Sequence, residues 1–346
     1  MSIGKYRPGV WSSYTITPSY TGTREALAVA VIAQLSLEEE LQPVVIKRGD
    51  IITPGTLLAE IAEPLFGAGL QQFTVYSTKE GAIDAAAHTT ALKALMAAGT
   101  MDLVVIQNAT QEVLGAAKEF AETSSENQKE LLVFAGSPAS ASVATYLAQS
   151  INSPRVVISY GTAFTAGSET GSSFLGAVSL CAAVAVLEDP SVSLTGWKLP
   201  GIARVTGATY DQVETLLEAG ATPLVQTGSG VEAVRILTTC TTLDGSPSRA
   251  FTPINTILII DTVMKALRQS LASFLSGAKN SAQTLSAVAS QITVLLGDFQ
   301  DRGIITGYGA PKVYCETDNP EVCIAEVSFT AAYLINQIHI QAQIQL

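Results

Sequence analysis

The residue types best suited to catalysis are sparse in this 346-residue chain. Histidine titrates nearest neutral pH and is the first choice for general acid–base work. There are two, His88 and His339, and neither has a serine, cysteine or carboxylate at motif spacing. His339 falls on the polar side of an alternating segment, which predicts a solvated or interfacial histidine. The four cysteines, Cys181, Cys240, Cys315 and Cys323, lack zinc-ligand spacing and are too few for a disulfide scaffold. A reducing cytoplasm is then the expected site of synthesis. Cys315 and Cys323 flank a seven-residue turn and can face each other across a hairpin. Two free thiols packed as small apolar residues are expected there, with a bond formed late, in oxidising surroundings, as the alternative.

Phosphate chemistry has two candidate stretches. Residues 161–176 are rich in Gly and Ser and lead into a helical pattern, so backbone N–H groups there could hold an anion. That loop carries no lysine, and the chain contains no G-x-x-x-x-G-K-[ST]. Residues 228–233, Gly-Ser-Gly-Val-Glu-Ala, fit G-x-G-x-x-A, but a strand-like run follows where a dinucleotide site needs a helix, so a hairpin turn is expected. There is no G-x-S-x-G elbow, no H-E-x-x-H and no EF-hand loop, and residues 318–320 read as a turn. The residues thus predict no catalytic site, no cofactor and no metal.

The elements that would position such residues are easier to read. Residues 103–106, 131–134 and 155–160 are apolar runs without alternation, separated by helical stretches at 111–123 and 137–149. That pattern is a parallel sheet covered on both faces. A helix is expected at 82–98, a buried strand within 25–34, and short strands and turns over 44–73, where Gly and Pro recur. A helix over 171–187 precedes a Pro- and Gly-marked connector at 195–201, which predicts a boundary. Then come a short helix at 211–219, a hairpin of 222–226 with 231–239, and two amphipathic helices at 256–275 and 280–301, the second capped by Asn280. A hairpin of 308–315 with 322–329 follows.

The two ends have a different texture. Ile338, Ile340, Ala342, Ile344 and Leu346 alternate with His339, Gln341, Gln343 and Gln345, which is the period of a half-buried strand. An uncharged, β-prone terminal strand needs a partner. It is either an edge strand of its own domain or a strand given to a neighbouring subunit. Near the other end, Val10, Trp11, Tyr14 and Ile16 give residues 10–16 strand character within a polar stretch holding Pro8, Gly9 and Pro18. That opening predicts no signal peptide. Charged residues are only 14% against 47% hydrophobic, which suggests a surface largely covered by partners. The net charge of −11 argues against nucleic acid as the main partner, and no apolar run of transmembrane length predicts membrane insertion.

In this order of elements the chain resembles the contractile tail sheath proteins of phage tails and phage-tail-like bacteriocins. The resemblance rests on residues 213–220 with the Gly228-Ser229-Gly230-Val231 turn and the strand 235–239, on the helix from Ile260-Asp261, on Gly303-Ile304-Ile305-Thr306-Gly307-Tyr308, on the Ile-His-Ile-Gln-Ala-Gln-Ile ending and on Pro8-Gly9-Val10. It is clearest over 200–346, and residues 35–100 match nothing specific. It implies a mixed α/β and α+β fold: an arm at 1–20, a parallel-sheet outer domain at 21–198, an α+β inner domain at 199–335 and a strand arm at 336–346. It also implies a homo-oligomer of stacked hexameric rings forming a helical tube, made in the bacterial cytoplasm. The implied partners are a tail tube protein, baseplate and tail terminator proteins, and contraction would require no nucleotide. A helix of the inner domain would face the tube. Among the charges on the two long helices, Lys265, Arg268, Asp298, Asp301 and Arg302, the end of the second helix is favoured: Asp298, Asp301 and Arg302. An α/β enzyme with an unrecognised site, or another tube or shell protein, are the other classes left open.

Overall fold

Mostly apolar runs without alternation can sit only where both faces of a sheet are covered, and such runs dominate the fold. The computed structural model describes residues 26–35, 41–79, 81, 84–99, 101–137, 140–272, 279–319 and 321–334. In chain order, the first half comprises β1 (Val29–Ala33), β2 (Pro43–Lys47), α1 (Leu57–Ala68), β3 (Gln72–Ser77), α2 (Ala85–Ala98), β4 (Leu103–Ile106), α3 (Gln111–Glu126), β5 (Leu132–Ser137), α4 (Ala141–Ile151) and β6 (Val156–Tyr160). The second half comprises β7 (Thr162–Phe164), α5 (Ser173–Ala185), β8 (Arg204–Thr206), α6 (Tyr210–Glu218), β9 (Ala221–Gln226), β10 (Val231–Ala233), β11 (Thr242–Leu243), β12 (Ser246–Pro247), α7 (Ile254–Ala272), α8 (Ala282–Asp301), β13 (Ile305–Tyr308), β14 (Lys312–Cys315), β15 (Cys323–Glu326) and β16 (Phe329–Ala331). The fold is mixed α/β, with a large, mainly parallel sheet and smaller antiparallel ladders.

The sheet has eight strands in the order β10-β9-β6-β5-β4-β1-β3-β2. The strands from β3 to β9 run parallel, and the edge strands β2 and β10 are antiparallel. Side chains alternate between its faces. Ala30, Ile32, Val104, Ile106, Val133 and Ile158 meet α2, α3, α4 and α6 in one core. Val29, Val31, Leu103, Val105, Phe134 and Val157 meet α1 and α5 in another. Helix α5 is buried at every position from 174 to 185, so it is a layer interior and not a surface helix. Its one buried hydroxyl, Ser179, donates to the Pro200 carbonyl at 2.6 Å.

The structure departs from the sequence reading at several places. Residues 57–68 form a helix despite Pro64, where short strands and turns were expected. Thr56 caps it by accepting from the Ala59 N–H, and Gly69 (φ +112°) closes it. The expected boundary at 195–201 lies inside the sheet layer: Leu199 and Ile202 belong to the α5 core, and β9 and β10 follow it to complete the sheet. Gly201 sits so close to Pro64 that a Cβ there would lie 2.5 Å from its backbone. Helix α4 is capped at Ser140, so Ser137 ends β5 instead of starting the helix. The C-terminal hairpin is broken into two ladders, β13 with β16 and β14 with β15, the first with an irregularity at Thr306 between Ile305 and Gly307.

A third core lies beyond the sheet. Ile259, Val263 and Leu267 of α7 pack with Val288, Ile292, Leu296 and Phe299 of α8, closed by Ile304 and Ile305. The strands of the two ladders cover its far side through Val313, Ala325 and Phe329.

Candidate assembly site

Helix α7 joins the two parts of the molecule. Its first turns place Ile254, Ile257 and Leu258 in the α5 core, and its later turns build the third core. Asn255 is buried at the crossing and donates to the carbonyls of Pro190 and Val192, both at 2.8 Å. Asp261, Lys265 and Arg268 recur at helical spacing and share a side of α7. Each meets an opposite charge near the start of a strand. Arg155, before β6, forks onto Asp261 with contacts of 2.5 and 2.9 Å. Lys265 reaches Asp102, before β4, at 3.0 Å. Arg268 pairs with Glu130, before β5. Lys265 and Arg268 were sequence candidates for an external contact. The structure engages both with the amino ends of the sheet instead.

Helix α8 carries the remaining candidates. Ser281, not Asn280, is its cap, and accepts from the Thr284 N–H at 3.2 Å. Val288, Ile292, Leu296 and Phe299 form its buried stripe. Gln291 donates to Ser270 at 2.9 Å, which ties α8 to α7. The opposite side exposes Ser290, Thr293, Val294, Asp298 and Asp301. Val294 is 66% exposed, unusual for a β-branched apolar residue on a helix. At the end of α8, Asp298 and Arg302 approach to 3.7 Å as an i, i+4 pair, both open to solvent. The Arg302 guanidinium also lies 5.8 Å above the Phe299 ring. Asp298, Asp301 and Arg302 therefore share one exposed helix end. The arm residues Val10, Trp11, Tyr14, Ile16, Ile338, Ile340, Ala342, Ile344 and Leu346 lie outside the described residues, as does His339.

At β5, the place where a parallel sheet would bind a small molecule is filled by the chain itself. Ligands of open α/β folds sit outside the carboxyl ends of the strands. Here the first turn of α5 packs on the end of β5: a Cβ at Gly136 would lie 2.0 Å from the Ser173 carbonyl oxygen. Ser173 donates to the Gly136 carbonyl at 3.2 Å, and Ser172 caps α5. The glycine turn at 228–230 joins β9 to β10 as a hairpin, as its sequence suggested. Thr227 and Ser229 donate to Glu232 there, which holds its carboxyl below the usual range. His88 is buried in α2, with Nδ1 2.9 Å from the Asp84 carbonyl. Burial lowers its pKa, so the ring is neutral at pH 7. Among the described residues, no three His, Cys, Asp or Glu side chains gather as a metal site, and no helix is long and apolar enough to cross a membrane.

A parallel α/β layer, joined through one long helix to a helical pair and antiparallel ladders, is the fold of the contractile tail sheath proteins. The chain superposes on a sheath tail protein of Desulfitobacterium hafniense with a TM-score of 0.70 at 12% identity, covering 93% of this chain and all of that one. It superposes equally, at 16% identity, on a chain of the anti-feeding prophage helical sheath in its contracted state, over 98% of this chain and 99% of that one. A chain of the anti-feeding prophage baseplate gives the same score and identity over 99% and 100%. No family model and no curated protein sequence matches the chain.

Proposed function

We propose that this chain is a structural, self-assembling subunit of a contractile tail sheath and not an enzyme. One observation carries the reading: the likeness to the contracted helical sheath spans 98% of the chain, with the α7–α8 pair and ladders included. The carboxyl end of β5, in the middle of the sheet where an enzyme of this class would bind substrate, is covered by the first turn of α5, which supports the same reading.

In this reading subunits stack as hexameric rings around a tail tube, with baseplate and terminator proteins at the two ends. Repeated heterologous contacts along a helix generate such tubes. Residues 1–20 and 336–346 act as arms given to neighbouring subunits, through Val10, Trp11, Tyr14 and Ile16 at one end and Ile338, Ile340, Ala342, Ile344 and Leu346 at the other. The sheet layer faces outward, and the end of α8, with Asp298, Asp301 and Arg302, faces the tube. Energy stored in the assembled, extended state drives contraction, so no nucleotide is consumed. The subunit is made in the bacterial cytoplasm and enters neither membrane nor nucleic acid.

Negative-stain microscopy of the purified protein tests this. Hollow tubes or rings with a six-fold end view support the reading. Discrete globules at every concentration and salt level overturn it and return the α/β enzyme to the front.

A further inference from the structure

Strands β14 and β15 pair antiparallel with Cys315 directly opposite Cys323. The kind of position matters as much as the register. The Glu316 N–H donates to the Val322 carbonyl at 3.0 Å, so the hydrogen-bonded pair is 316 with 322. Alternation makes 315 with 323 a non-hydrogen-bonded pair, where Cα atoms stand about 4.5 Å apart and side chains are closest. A disulfide accepts Cα separations of about 4.4–6.8 Å, so the backbone is already set for one. Cys323 is exposed and Cys315 half-buried, whereas Cys181 and Cys240 are buried. Partial burial, then the charge and hydrogen bond of the adjoining Cys315 thiol, push the Cys323 thiol upward, so Cys323 rests mainly protonated at neutral pH.

We propose that Cys315 and Cys323 form a redox-closable staple across the β14–β15 hairpin, closed by exchange with small cationic or neutral disulfides. The reaction balances as follows. The Cys323 thiolate attacks a sulfur of the small disulfide, whose S–S bond breaks, and one thiol leaves with a proton. The Cys315 thiolate then attacks the protein sulfur of that mixed disulfide, the second small thiol leaves, and the Cys315–Cys323 bond is complete. Two cysteines are oxidised and one disulfide is reduced to two thiols. Charge selects the reagent. The two strands and turn that carry the pair hold Glu316, Asp318, Glu321 and Glu326, against Lys312 alone. An anionic disulfide is repelled, and a cationic one is drawn in.

The full chain is treated with cystamine, quenched with acid, alkylated and cleaved at glutamate without reduction. Glu316 and Glu321 lie between the cysteines, so cleavage leaves them on separate peptides unless they are bonded. The expected product is one linked peptide pair, about 2 Da lighter than its reduced parts. Cys181 and Cys240 should stay unmodified until the fold is opened. In Cys315→Ser, a cystamine adduct should persist on Cys323. Raising the salt should slow cystamine and speed oxidised glutathione, because screening removes attraction in one case and repulsion in the other. Stable adducts on both cysteines of the unaltered protein, or a bond between two chains on a non-reducing gel, would overturn the staple. Rates that move in the same direction with salt for both reagents would overturn the charge selection. None of these readouts depends on whether the protein forms a sheath.

Discussion

Arg155 and Asp261 come from different layers and meet by a two-pronged contact with both side chains mostly withdrawn from water, at 14% and 15% exposure. Breaking such a pair leaves one charge without its partner, whereas a solvated pair costs little to lose. Arg155→Ala should therefore cost about 2–3 kcal/mol, below the full buried-pair cost because some water reaches it. Lys265→Ala should cost about 0–1 kcal/mol, since Lys265 is 46% exposed. Urea unfolding of the two single variants and of Arg155→Ala with Asp261→Ala measures both values and the coupling. A Lys265 effect as large as that of Arg155 would contradict the ranking. Nothing in the sequence pairs residue 155 with residue 261, because a long-range ion pair leaves no periodic trace. Gly136 was equally silent as a contact, yet it has no room for a methyl group beside Ser173. Gly136→Ala should destabilise by about 1–3 kcal/mol, as overpacking does, and is read by the same unfolding curves.

At the scale of elements, legibility followed the strength of local pattern. The runs at 103–106, 131–134 and 155–160 announce buried parallel strands because nothing else hides two apolar faces. Helix α1 is not legible, because Pro64 and the glycines around it read as breaks. A proline inside a helix costs about 3 kcal/mol, and the burial of Ile61, Ala62 and Leu65 outweighs it. For the candidate site, helices α7 and α8 were legible from their stripes, but which charges point outward was not. Lys265 and Arg268 reach across to carboxylates at the amino ends of the sheet, and Asp298 and Asp301 remain at the carboxyl end of α8. Acidic groups there oppose the helix dipole, each by about 0.3–1 kcal/mol. The Arg302 contact returns about 0.3–0.5 kcal/mol as an i, i+4 pair. Asp298→Asn with Asp301→Asn should therefore leave the melting temperature of the subunit unchanged or slightly raised. If this end contacts the tube, the reversal Asp298→Lys with Asp301→Lys should weaken decoration of tubes, most at low salt, where exposed charges are least screened. Tube co-sedimentation across a salt series reads it, and full decoration at low salt would remove this surface from the contact.

At the scale of the whole molecule, the described cores draw on residues between Leu27 and Ala331, and the alternating stretch at 338–346 lies outside the described residues. Its period-two pattern fits it for one task, pairing along one buried face. If that task is pairing with a neighbour, deleting residues 338–346 should give a soluble subunit with an unchanged unfolding midpoint that no longer forms long polymers. Gel filtration and microscopy separate the two effects, and tubes of normal length from the truncated chain would end the idea. A loss of the folded subunit itself would instead place the strand within its own domain. Register sharpens the test. Ile340 and Ile344 lie on the apolar side of the alternation and Gln341 on the polar side. A strand buried on one face places a charge at Ile340 or Ile344 out of water, at several kcal/mol when unpaired, and leaves one at Gln341 solvated. Ile340→Asp should therefore abolish assembly at concentrations where Gln341→Glu still forms tubes. Equal defects from the two would mean that the strand is not held by one face.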